Sequence, residues 1–354
     1  MRLEARAAIS RAWLLGAPFA AIVFTLVICA LLVGWAGAPV GRVYGLIFDG
    51  AFGSRFAISE TLTRATPLIL TGLAAAVAFR ARLYNIGAEG QLYLGALAAV
   101  AIGGQHAAAL GLPAPLHFVL MLAGGAAAGA LLLLVPALLK TRFGVDEVVT
   151  TLLLNFIALL FVSMMLDGPM KDPLSMGWPQ SEALLPELEF SRLLERSRLH
   201  TGLLLACALA VAMWVLERYT TLGLAMRAVG ANARAAAFAG LPVVSVTLRT
   251  ALISGALAGL AGVGEVAGRT SYLTLDMSPG YGYSGIVIAM LAGLHPLGVI
   301  AAAVFVASVL VGADSMSRSI SVPTYLADVI VAVSLLAMLV AAMLARYRVR
   351  RERA

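Results

Sequence analysis

Charge is scarce in this 354-residue chain: 12% of its residues are Asp, Glu, Lys or Arg, against 61% that are apolar. Soluble domains carry about twice that charged fraction. A surface so poor in charge cannot face water throughout, so most of the outside must face lipid. Lysine is scarcer still. The two lysines, Lys140 and Lys171, lie outside any G-x-x-x-x-G-K-[ST] run, which excludes a phosphate-cradling loop of that type. Cys29 and Cys207 both sit in apolar runs and make no disulfide framework. No H-E-x-x-H occurs, and His106, His117 and His200 are scattered around the loops expected outside, as ordinary interface residues. Basic runs are missing too, apart from the last nine residues, "RYRVRRERA". That tail follows an apolar stretch and reads as a juxtamembrane anchor for anionic lipid. The net charge of +7 therefore gives no case for nucleic-acid binding.

What the chain does have is long apolar segments. Ten can each cross a bilayer: 13–36, 61–79, 88–103, 116–139, 147–166, 200–217, 244–264, 283–294, 296–313 and 323–345. The third and eighth are shorter than the roughly 20 residues a straight span needs. The expected fold class is all-α, a polytopic transmembrane helix bundle of about ten spans, with residues 1–354 forming one transmembrane domain. Arg2, Arg6 and Arg11 followed by "AGA" at Ala36–Ala38 mimic a signal peptide. The apolar run from Trp13 to Trp35 is too long for an h-region, so an uncleaved first helix is expected.

Basic residues set the orientation. With a cytoplasmic N-terminus the inside collects Arg80, Arg82, Lys140, Arg142, Arg218, Arg227, Arg234 and both terminal arginine groups. Both termini are then cytoplasmic, as an even span count requires. The loop 168–199 falls outside, and its "LPELEFSRLLERSRL" suits a short helix lying on the interface. The pairs Gly125/Gly129, Gly255/Gly259 and Gly264/Gly268 let helix backbones approach closely.

The inside loop 218–243 carries its own punctuation. Asn232 can cap a helix, "ARAAAFA" favours one, and Gly240 followed by Pro242 stops it. Arg234 and Phe238 then project about one turn apart. Helix connectors in bundles usually take about two to eight residues, and this loop is far longer. A docking helix for a partner chain accounts for the surplus. Since no phosphate loop is present, an ATP-driven pump would need its ATPase on another chain.

Four stretches now carry a family resemblance: "NIGAEGQLYLGA", "DEVVTTLLLNFIA", "GLAMRAVGANARAAAFAGL" and "GYGYSGIVIAMLAGLHPLGVIAAAVF", in that order from about Thr66 to the last helix. The chain resembles the permease subunit of the nucleoside and simple-sugar branch of bacterial ABC importers, with ribose-type and branched-chain amino-acid permeases more distant. The resemblance implies a multi-pass protein of the bacterial inner membrane. It implies an ATPase subunit that binds the ATP, a second homologous permease and an extracytoplasmic solute-binding protein, with no cofactor or metal on this chain. It also implies that Arg227, Gly230, Asn232, Arg234, Ala236, Phe238 and Gly240 belong to the segment that couples to the ATPase. Ala233 stands where the family often has Pro. The "NIGAEGQ" form leans towards nucleosides over ribose.

Residues 80–95, "RARLYNIGAEGQLYLG", place strong polarity between two apolar runs. Either they form a plain cytoplasmic turn, or they break a helix at membrane depth and line a cavity. A carboxylate at bilayer centre costs about 2.5–3.5 kcal/mol on insertion scales, so Glu89 must stay at the interface or turn inward. Asn85, Glu89, Gln91 and Asn155 are candidate pathway residues, and Asn155 serves equally well as a tie between helices. Tyr281 and Tyr283 either stack on a solute or anchor at the interface.

Two rival classes remain. "GYSG" with His295 suggests an intramembrane serine protease, but Ser284 and His295 on one helix would lie roughly 16 Å apart, where catalysis needs about 3 Å. An ion-coupled secondary transporter needs buried ionisable groups. Its candidates Glu89, Glu265, Asp276 and Asp328 all fall near span ends, and it leaves the docking loop unexplained.

Overall fold

The computed structural model describes residues 39–320 throughout, with residues 2–5, 16, 23–31, 33–34 and 347–350 and single positions between 325 and 340. The expected first and last spans, 13–36 and 323–345, and Asp328 therefore lie largely outside the described residues. The helices are α1 (Val40–Phe52), α2 (Arg55–Arg80), α3 (Ala88–Gly103), α4 (Ala114–Phe143), α5 (Glu147–Asp167), α6 (Gly202–Tyr219), α7 (Thr221–Ala231), α8 (Ala233–Phe238), α9 (Val243–Glu265), α10 (Tyr281–Leu291) and α11 (Pro296–Ile320). Among the described residues six are long and apolar enough to cross a membrane: α2, α4, α5, α6, α9 with its extension to Thr270, and α11. The two shorter apolar helices, α3 and α10, fall on the third and eighth expected spans, the pair whose length was short in the sequence.

The chain divides into two compact units, Met1–Thr61 with Phe305–Ala354, and Leu62–Val304. In the first, α1 runs beside the second half of α11. A methyl on Gly50 would meet the Ser315 side chain, and one on Gly312 would meet the Ile47 carbonyl. The strands β1 (Arg2–Ala5) and β2 (Tyr347–Arg350) pair antiparallel, Arg2 opposite Arg350, which departs from the all-helical expectation in two four-residue pieces. Helix α1 was not expected either. Its signal was present, since Val40, Val43, Tyr44, Ile47, Phe48, Ala51 and Phe52 recur at helical spacing.

In the second unit α2 is innermost, with 83% of its apolar window buried, whereas 22% of that of α5 is buried. The exposed side chains of α5, among them Leu160 and Met164, make a lipid-compatible face. Helices α3, α4 and α9 cross where glycines remove side chains from the contact. Gly95 would place a methyl 2.2 Å from the Gly259 carbonyl oxygen, and Gly129 one 2.2 Å from that of Gly255. Two of the three expected glycine pairs therefore do interdigitate. In the third, Gly264 has nothing within 4 Å, and only Gly268 is crowded, by the His200 ring.

The expected interface helix in loop 168–199 is absent. One 3-10 turn, Pro186–Leu188, stands in its place. The reason lies in hydrogen-bond accounting. Backbone N–H groups of Leu184, Leu185 and Phe190 donate to the carbonyls of Ser271, Gly103 and Ala267, oxygens at or just past the ends of α3 and of the π turn that extends α9. Those carbonyls have no partner within their own helices. Leu184, Leu188 and Leu199 are buried by the same arrangement and do not meet lipid.

Candidate functional site

Within the polar stretch at 80–95, residues 81–87 are non-helical and largely buried, with Arg82 and Tyr84 exposed. Helix α2 stops at Arg80, α3 starts at Ala88, and between them Leu83 and Asn85 are fully buried. Buried backbone without helical bonds must find other partners. Amide side chains supply them. Asn155 on α5 accepts from Gly90 N at 2.8 Å and donates to Ile86 O at 2.9 Å. Thr151, one turn earlier, accepts from Ile86 N at 3.3 Å. Asn85 and Gln91 exchange two amide bonds of 2.9 Å, while Asn85 Oδ1 also accepts from Gly87 N and its Nδ2 reaches Ser254 Oγ at 3.1 Å. On the outer flank Lys140 pairs with Glu147, which accepts from Tyr84 N. Most of this segment is buried, and Asn155 ties α5 to it and to Tyr283.

Glu89 turns inward. Its Oε2 accepts from Gly282 N at 2.6 Å, at the first turn of α10. The carboxyl group thus accepts from an N–H at the start of that helix, one of those without a partner inside it. The approach is close: a methyl on Gly282 would lie 2.2 Å from Glu89 N. The two short helices therefore meet N-terminus to N-terminus.

Tyr281 is fully buried and its hydroxyl accepts from Arg269 Nη1 at 3.2 Å, so no ring face is free to stack on a solute. Arg269 also pairs with Glu265 at 2.7 Å. Tyr283 remains part-exposed, and its hydroxyl accepts from Asn155 Nδ2 at 3.2 Å. Of the ionisable candidates, Glu89 and Glu265 are buried with partners and Asp276 is exposed.

At the loop 218–243 the structure has two helices where one was expected. Thr220 caps α7 through Gly223 N, a helix the sequence reading missed. Asn232 closes α7 and opens α8, accepting from Arg234 N and Ala235 N at 3.0 and 3.1 Å. Gly240, at φ 81°, ends the arm as expected. Asn232, Arg234, Phe238 and Gly240 are exposed, Phe238 to 97%. Ala236 and Gly230 are buried and Arg227 is half-buried, its Nη1 donating to the Glu217 carbonyl. The arm thus has an outer face and an anchoring face.

His200, expected at an interface, is 1% exposed and stacks on Phe190 at 5.6 Å. It accepts from Gly202 N. Burial lowers its pKa from 6.5 to about 4, so the folded protein holds it neutral. Unfolded chains take up the proton first, and stability is lost as pH falls from 6.5 towards 4. At pH 5.0 the loss is about 2 kcal/mol relative to pH 7.5. Thermal unfolding at both pH values should show a smaller acid penalty in His200→Phe than in wild type. Equal penalties would remove His200 as the cause.

Comparison with known proteins fits this architecture. Residues 57–342 match the family described as "Branched-chain amino acid transport system / permease component". The guanosine ABC transporter permease protein NupP of Bacillus subtilis is 37% identical over 90% of this chain and 91% of its own length. The glucose ABC transporter permease protein TsgB13 of Haloferax volcanii is 36% identical over 96% and 90%. The nucleoside ABC transporter permease protein NupB of Lactococcus lactis is 31% identical over 89% and 88%. With its apolar spans and this match across most of its length, the chain belongs to the branched-chain amino acid transport system/permease component family, as a multi-pass membrane permease subunit of an ABC transporter.

Proposed function

We propose that this permease imports nucleosides or related simple sugars. Its pathway borders the buried break at residues 81–87, and an ATPase subunit docks on α8 and binds the ATP. The observation that carries the pathway is the meeting of two short helices at Glu89 and Gly282 beside irregular buried backbone. Interrupted helices whose ends meet inside a bundle are the expected frame of a solute site in membrane transporters. Within it Asn85, Gln91, Asn155, Glu89 and Tyr281 hold the frame, and the part-exposed Tyr283 offers its ring and hydroxyl to a solute.

Residues 1–354 act as one permease domain of about ten spans with both termini cytoplasmic, 218–243 as the coupling segment and 168–199 as the extracytoplasmic loop. An extracytoplasmic binding protein would deliver solute there. The pairing of the two terminal strands supports termini on one side. A second, different permease completes the pathway. In Bacillus subtilis, NupP at 37% and NupQ at 30% identity both carry the guanosine name, and in Lactococcus lactis NupB and NupC both carry the nucleoside name.

The solute is tested by uptake of labelled guanosine, glucose and ribose in cells with and without this chain, its neighbouring transport genes intact. Loss of guanosine uptake, competed by other nucleosides, is the expected result. Loss of glucose or ribose uptake alone would keep the architecture and place the chain with the sugar permeases. Unchanged uptake of all three overturns the solute assignment.

A further inference from the structure

Arg80 is the last residue of α2 and the last before the break. Its Nη2 donates to the Leu294 carbonyl at 2.7 Å, in the turn after α10, and reaches Glu217 Oε2 at 3.1 Å. Glu217 lies near the end of α6 and is 5% exposed. From the other side α7 grips the same place twice. Arg227 Nη1 donates to the Glu217 carbonyl, and a methyl on Gly230 would stand 2.0 Å from the Arg80 carbonyl oxygen. Gly230 precedes by two residues Asn232, the cap that opens α8. One short path thus runs from the exposed α8 face through Asn232 and Gly230 to Arg80, and from Arg80 both into the break and to the end of α10.

The same pair is under-satisfied. Among the described residues, Arg80 Nε and Glu217 Oε1 are buried without hydrogen-bond partners. Such atoms in a folded protein call for an explanation, a strain reservoir being one. A spare donor and a spare acceptor on one ion pair allow a second arrangement of that pair with no atom added. A coupling path needs an element with two discrete arrangements.

We propose that Arg80 and Glu217 form the joint that carries a displacement of α8 into the break at 81–87, acting as positioning residues and not as solute ligands. This rests on the reading of α8 as the ATPase dock. Gly230 and Arg227 then serve the joint rather than the docking surface, although they share one sequence motif with it.

The test uses the whole transporter, with its ATPase, second permease and binding protein, in proteoliposomes. Solute moved per ATP hydrolysed is read alongside co-purification of the ATPase. Glu217→Gln, and separately Gly230→Ala, should lower solute per ATP at least ten-fold while the ATPase co-purifies at the wild-type ratio. The swap Arg80→Glu with Glu217→Arg should recover part of it. Where Glu217→Gln is not monodisperse, Arg80→Lys takes its place, since lysine lacks the Nε that is the spare donor of the pair. Wild-type solute per ATP in these variants overturns the joint. So does a proportional fall of ATP hydrolysis and uptake with loss of the ATPase, which marks a merely structural role. Phe238→Ala separates the two ideas: unchanged ATPase association there overturns the docking reading and the joint with it, whereas the Glu217 result alone leaves docking intact.

Discussion

Arg234→Glu combined with Phe238→Ala is expected to abolish coupled uptake, by about a hundred-fold or more, while the permease folds and inserts normally. Phe238 is 97% exposed and Arg234 is exposed one helical turn before it, so folding has little to lose. Surface changes of this kind usually shift stability by less than about 0.5 kcal/mol. Binding has much to lose. Truncating an aromatic anchor at an interface costs about 2 kcal/mol or more, roughly 30-fold in affinity. Reversing a charge beside it adds a like-charge or unpaired contact. The measurement is ATPase co-purification and uptake, with a melting curve of the isolated permease as control. Wild-type association would end the docking assignment.

That helix was legible in the sequence because its determinants are local. The Asn232 cap and the Gly240 stop lie within nine residues of each other, and both appear where the residue types demand. The break at 81–87 was legible as polarity out of place, but its partners were not. Asn155 reaches Ile86 in the break from 69 residues away along the chain, Tyr283 bonds Asn155 from a further 128, and no local pattern encodes such distances. Loop 168–199 shows the opposite error. Its leucines and charges make a fair amphipathic pattern, yet Ser271, Gly103 and Ala267 carbonyls needed donors, and the loop backbone met them. Tertiary demand overrode local preference. Helix α1 was legible and overlooked, since Arg42, Asp49 and three glycines disguise its apolar stripe.

Gly259→Ala is expected to destroy the assembled bundle, and Gly264→Ala to be neutral or stabilising. The two positions sit one and a half turns apart on α9, and their sequence signals are alike. A methyl on Gly259 would come within 2.2 Å of the Gly125 carbonyl oxygen. Backbone, unlike a flexible side-chain end, cannot swing away, so α4 and α9 must separate, and Gly95 on α3 would lose its contact with the Gly259 carbonyl. Overpacking a close-packed core costs typically about 1–3 kcal/mol, and a backbone-on-backbone clash belongs at the upper end. Within a membrane the cost is concentrated further, because helix association rests on packing and not on expulsion of water. At Gly264 nothing lies within 4 Å, so the added methyl meets no obstacle and replaces a residue that costs a helix interior about 1 kcal/mol relative to alanine. Thermal unfolding of the two variants in one detergent, followed by size-exclusion profile, separates them. Equal melting temperatures would mean that the glycine crossing of α3, α4 and α9 does not hold the bundle together.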